Sequence, residues 1–169
     1  DILLIIGRVL FSLIFISSGL SHITKVEAMS GYAQFKKVPA PKLAVIVSGL
    51  MILLGGLYVA LGVYADLGGL FLAVFLILTA FMMHNFWTIQ DPQAKQGEMI
   101  NFMKNLALAG AALIIFVVVA SGGNFGPSIT SPLFNLNPDL NSEPRGRDVA
   151  GFVLSRRYLG AVEIALAII

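Results

Sequence analysis

The sequence contains no cysteine. Disulfides, a thiolate nucleophile, iron–sulfur ligation and thiolate-bound zinc are therefore excluded within this polypeptide, and any thiol redox chemistry would belong to a partner. Charge is also scarce. Charged residues make up 12% of the chain, about half the usual soluble share. The formal net charge of +2 is small and scattered, whereas nucleic-acid binding calls for a concentrated basic surface, so that class is discarded. With two histidines and no clustered ligand spacing, no metal site is assigned.

What is present is hydrocarbon. Hydrophobic residues make up 57% of the 169, and they gather in long stretches over residues 2–22, 43–63, 67–87 and 102–120. Each is close to the roughly 20 residues that an α-helix rising about 1.5 Å per residue needs to cross a bilayer core. A soluble bundle would carry charges along one face of every helix, and that face is missing. The fold class is therefore an all-α membrane protein, a four-transmembrane-helix antiparallel bundle. The first residue is Asp1. The first stretch lacks the charged start and small-residue cleavage site of a signal peptide and exceeds its usual apolar length, so it reads as a retained helix.

The links between the stretches set the topology. A basic connection with Lys25, Glu27, Lys36 and Lys37 leads to Pro39 and Pro41, which suit a helix start because proline's missing N–H is already an orphan there. Gly49, Gly55, Gly56 and Gly62 remove bulk where helices approach. Only Tyr64, Ala65 and Asp66 separate the second and third stretches, which forces a tight antiparallel hairpin. A polar link over residues 88–100 precedes the fourth stretch. The bundle is expected to fill residues 1–122, with irregular linker over 123–150. Residues 151–169 are expected to form a partial C-terminal apolar helix, either a truncated fifth span or an interfacial segment. Lys25, Lys36, Lys37, Lys42, Lys95 and Lys104 crowd one side, which the positive-inside rule would place in the cytoplasm. Arg145, Arg147, Arg156 and Arg157 on the other side oppose that orientation.

This topology gathers His22, Lys25, His84, Asn85, Trp87, Lys104 and Asn105 at one membrane face. Ionisable groups near hydrocarbon must snorkel, pair or face a wet cavity, so the set is either a site or a ring of interfacial anchors. His22 and His84 could in principle supply two axial haem imidazoles, the less favoured option. A quinone pocket asks less: an apolar slot with hydrogen-bond donors, for which His84, Lys104 and Asn105 are the candidates beside His22. At the opposite face Arg8 and Ser12 share one helical side, and Asp66 lies in the hairpin. The expectation is a structural ion pair between Arg8 and Asp66, with snorkelling of Arg8 to headgroups as the alternative.

An ordered set of motifs resembles the DoxX family of small bacterial and archaeal membrane proteins. The matching pieces are Gly7-Arg8-Val9-Leu10-Phe11; Ser18-Gly19; Gly31-Tyr32-Ala33; Val38-Pro39-Ala40-Pro41; Leu54-Gly55-Gly56; His84-Asn85-Phe86-Trp87; and Phe102-Met103-Lys104-Asn105. One departure is Ile52, where many relatives carry a glutamate. The resemblance implies a bundle of four helices in the cytoplasmic membrane, associated in some relatives with quinone-linked or thiol-linked redox complexes. The expected function is a non-catalytic accessory or assembly subunit of a larger respiratory or photosynthetic electron-transfer complex. The alternative is a quinone-interacting oxidoreductase component. Expected partners are membrane lipids and other membrane protein subunits, and no cofactor is assigned apart from the candidate quinone.

Overall fold

The computed structural model describes residues 2–137. The helices are α1 (Ile2–Thr24), α2 (Val26–Phe35), α3 (Pro41–Leu61), α4 (Ala65–Met83) and α5 (Pro92–Ala120), with a 3₁₀ turn at Phe86–Thr88 between the last two. No strand occurs among the described residues. Four helical segments are long and apolar enough to span a membrane, so the expected four-helix membrane bundle is the observed architecture. The C-terminal helix expected over residues 151–169 lies outside the described residues.

Within each span the buried residues recur in steps of three and four, which lays one straight seam along a helix. On α1 the seam is Arg8, Ser12, Phe15 and Gly19. On α3 it includes Val45, Gly49, Ile52, Gly56 and Val59. On α4 it includes Ala65, Gly69, Leu72, Leu76 and Ala80; on α5, Phe102, Ala109 and Ala112. The seams are rich in small residues, while Leu3, Leu10 and Ile114 point outward. Lipid tails are as apolar as leucine, so exposing leucine costs nothing there, and close backbone approach supplies the attraction instead. At Gly19 an added Cβ would fall 2.7 Å from the Leu53 Cβ, and at Gly69 2.8 Å from the Ala112 carbonyl oxygen. Those two positions admit only glycine without a shift of the neighbouring helix. α1 packs on α3, α3 on α4, and α4 on α5.

The links depart from expectation in informative ways. The basic connection after α1 is itself helical, ten residues long, and too short to span. α4 stops at Met83, and Trp87 sits in a separate 3₁₀ turn that closes the span at Thr88. α5 starts at Pro92, so most of the link expected over residues 88–100 is helix. Its start is built by Asp91, whose carboxylate accepts the Ala94 N–H at 2.7 Å, with Pro92 in the first turn. Hydropathy marks where lipid begins, not where a helix begins. At 29 residues α5 is about 43 Å long, more than a bilayer core of about 30 Å, so its first turns form a stem outside the hydrocarbon.

After α5 the chain folds back on the bundle, and the compact unit runs to Leu136 rather than ending at residue 122. Ile129 and Thr130 donate their N–H groups to the Gly62 carbonyl, and the Leu136 N–H reaches the Ala120 carbonyl at 2.9 Å. The Tyr64 N–H donates to the Thr130 hydroxyl at 2.7 Å. The hairpin accommodates this segment through Gly62 and Tyr64, both left-handed, at φ 67° and 42°.

Candidate interfacial cleft and buried polar cap

At one end of the bundle the α4 and α5 seams turn polar. His84, the residue just after α4, bonds through Nδ1 to Glu98 on the α5 stem at 2.7 Å; their side chains are 20% and 22% exposed. A carboxylate accepts, so Nδ1 carries the proton in this bond. Phe81, Phe86, Trp87 and Phe102 hold the 3₁₀ turn in place by edge-on and tilted ring contacts 5.3–6.4 Å apart. Beside them opens a cleft of about 730 Å³, lined by Tyr32, Phe35, Lys36 and Lys37 from α2 and its end, Asn85 and Ile89 from the turn, and Glu98 and Asn101 from α5. Its size lies in the range of small-molecule sites.

Lys36 donates to the Asn85 side-chain oxygen at 3.2 Å, and its ammonium stands 5.8 Å from the Tyr32 ring centre. Partial burial, and then the negative charge of Glu98, push the Tyr32 hydroxyl above its ordinary value. The phenol therefore stays a protonated hydrogen-bond donor at neutral pH.

Of the four expected pocket residues, the cleft gains only His84, through Glu98. His22 continues the α1 seam by one further step of three. Its Nδ1 donates to the Ser18 carbonyl at 2.8 Å and its ring meets Phe75 edge-on at 6.2 Å. Gly49 makes room for it, since a Cβ there would fall 2.6 Å from the His22 Cβ. His22 is thus a packing residue, and the two imidazoles have separate partners. Lys104 is exposed on the outside of α5, and Asn105 is half-buried, its amide nitrogen without a partner among the described residues. Tyr32, Lys36, Lys37, Glu98 and Asn101 were not among the sequence candidates. The cap pair Asp91-Pro92 carries the missed signal: once α5 starts there, Glu98, Asn101 and Asn105 fall on one helical face.

The opposite end corrects the expected Arg8–Asp66 ion pair. Arg8 is 5% exposed and donates to four carbonyls: Val59 at 3.0 Å, Ala60 at 2.9 Å, Phe125 at 3.1 Å and Pro127 at 2.7 Å. Val59 and Ala60 are in the last turn of α3, whose carbonyls lack helical partners and carry the negative end of the helix dipole. The Phe125 ring lies 5.2 Å below the guanidinium. Asp66, fully buried, accepts the Phe134 N–H at 2.6 Å through one oxygen, while its other oxygen has no partner among the described residues. Each residue fastens the returning segment to the bundle. The backbone supplies what a side-chain partner was expected to supply.

A bundle of four spans with small-residue seams, a backbone-capped arginine at one end and a polar cleft at the other defines a polytopic α-helical membrane protein. Residues 3–85 match the DoxX family model, and the chain carries a DoxX-family domain over that stretch. The chain is similar to two proteins of Escherichia coli (strain K12). It is 28% identical to inner membrane protein YphA over 116 residues, 69% of this chain and 82% of that protein. It is 29% identical to inner membrane protein YqjF over 117 residues, 69% of this chain and 84% of that one. No solved structure matches. With its four apolar spans, the chain is an integral protein of the cytoplasmic membrane.

Proposed function

We propose that the protein is a non-catalytic accessory or assembly subunit of a larger electron-transfer complex in the membrane, of the respiratory or photosynthetic kind. The observation that carries this reading is where the ionisable groups inside the bundle make their hydrogen bonds. Arg8, Asp66 and His22 all bond to the chain's own backbone. A catalytic acid or base must reach a substrate proton, and these three are engaged in holding the fold. The class of complex is what the DoxX resemblance implies from some relatives, and that resemblance supports the reading. Purification from native membranes in mild detergent should bring down a stoichiometric larger assembly with redox-active subunits. Recovery as a lone monomer or homodimer would refute the reading.

A second reading, a quinone-interacting component, is favoured by one observation, the hydrogen-bonded His84–Glu98 pair at the cleft. With the imidazole protonated, such a pair can pass its Nε2 proton to a quinone oxygen that an electron-donating partner subunit has reduced. Solvent extraction should then recover bound quinone, and the His84→Ala variant should lose it. Quinone-free protein, or unchanged quinone content in the variant, would sink this reading.

A further inference from the structure

The cleft has a charge and a position that point to a different occupant. Two of its lining residues are lysines, and the one carboxylate, Glu98, is bonded to His84. The Lys37 ammonium meets no carboxylate among the described residues. Lys37 also stands where its residue type is unfavourable. α2 ends with the Lys37 N–H on the Gln34 carbonyl and the Val38 N–H on the Ala33 carbonyl, each at 2.9 Å, which places Lys37 in the left-handed position at φ 60°. Glycine takes that position without strain, and a lysine does not. The left-handed turn that ends α2 thus sets Lys37 at the edge of the cleft.

The position is interfacial. The cleft lies between α2 and the stem by which α5 rises out of the hydrocarbon, beside Trp87, which is 51% exposed in the way of a headgroup-level anchor. Phe35, on the same wall, is 78% exposed, an apolar ring that the described residues leave largely uncovered. A ligand fitting both features has an anionic head and an apolar body. We propose that this cleft binds the phosphate headgroup of an anionic phospholipid, with Lys36 and Lys37 as charged contacts, Tyr32 and Asn101 as neutral donors, and Phe35 against the glycerol and acyl chain. The site goes beyond the accessory-subunit reading and competes with the quinone reading for the same space.

The test is native mass spectrometry of the whole protein in mixed micelles, with phosphatidylglycerol, phosphatidylcholine or ubiquinone added. Wild type should retain one phosphatidylglycerol in preference to phosphatidylcholine. Each lysine removed should weaken retention about fivefold, so the double variant Lys36→Gln/Lys37→Gln should weaken it about 25-fold. Lys37→Gly guards against misfolding as an explanation. Glycine relieves the left-handed strain, so this variant should melt at a higher temperature than wild type and still bind phosphatidylglycerol about fivefold less tightly. Equal retention of the two phospholipids, or undiminished retention by Lys37→Gly or the double variant, overturns the proposal. So does preferential retention of ubiquinone, which would favour the second functional reading instead. Displacement of the lipid by millimolar inorganic phosphate would assign the site to free phosphate and likewise overturn the lipid; persistence of the adduct supports it.

Discussion

Substituting Arg8 by methionine keeps most of the side-chain length and removes the cation. Four carbonyls then lose their donor: Val59 and Ala60 at the end of α3, and Phe125 and Pro127 in the returning segment. Hydrogen bonds to a charged group contribute about 1.5–3 kcal/mol each. Their sum overstates the effect, because burying the guanidinium itself costs several kcal/mol; what its removal leaves behind is neutral carbonyls without a donor, and a buried group left unsatisfied costs about 1–3 kcal/mol. We expect a loss in that range for Arg8→Met. Arg8→Lys should fall between this variant and wild type, since one ammonium has three donors and no planar fork to serve carbonyls on both sides. The effect should also be local. Hydrogen exchange followed by peptide mass spectrometry should show faster exchange over residues 121–136, including the Phe134 N–H held by Asp66. The seam around Leu72 and Ala112 should keep its protection while the bundle stays folded. If Arg8→Met melts with wild type and residues 121–136 exchange no faster, the arginine serves the headgroups and not the cap, and the account given for this end of the molecule is wrong.

Gly69→Ala should destabilise by about 1–3 kcal/mol, because the new Cβ meets the backbone at Ala112 and Phe116 and α5 must move. Gly7→Ala, with nothing within 4 Å, should stay within about 0.5 kcal/mol of wild type in the same detergent melt. Asp91→Ala removes the cap on Ala94 and should cost about 1 kcal/mol, read as faster amide exchange in the first turn of α5. Tyr32 should titrate late when phenolate absorbance is followed at alkaline pH, and Glu98→Gln should bring it only part of the way back, since burial is the larger cause. The sign for stability follows. Tyr32 binds its proton more tightly in the folded state, so its contribution is fully present below the unfolded value of about 10 and is lost as pH rises through the folded one.

The spans were legible because lipid imposes a length and a composition that no other environment requires, and all four expected stretches coincide with membrane-spanning segments. The helical stem of α5 and the helix α2 were not, because hydropathy is silent once a helix leaves the hydrocarbon. Their signals are of another kind: a cap at Asp91, a proline at Pro92, and for α2 a short amphipathic stretch flanked by lysines. The two histidines separate by the same criterion. His22 follows Arg8, Ser12, Phe15 and Gly19 at the next seam step, so its packing role was written in the spacing, but only a reading by seam and not by membrane depth reveals it.

The cap at Arg8 lay beyond reach for a more basic reason. Sequence patterns can pair a positive side chain with a negative one, because both are named residues. They cannot see a carbonyl, which every residue carries alike. Arg8 and Asp66 were rightly placed at one end, yet each found its partner in backbone from a segment rich in glycine, proline, serine and asparagine that carries no hydrophobic period. In a bilayer this arrangement has a physical logic. The last carbonyls of α3 need donors wherever water is excluded, and an arginine delivers several from one side chain. A buried carboxylate could neutralise the charge, but it would leave those carbonyls unpaired. The same reasoning separates the two ends of the molecule: at one, Arg8 and Asp66 hold backbone of the returning segment, and at the other Lys37 stands beside an open cleft with no carboxylate partner among the described residues, a side chain available to a ligand.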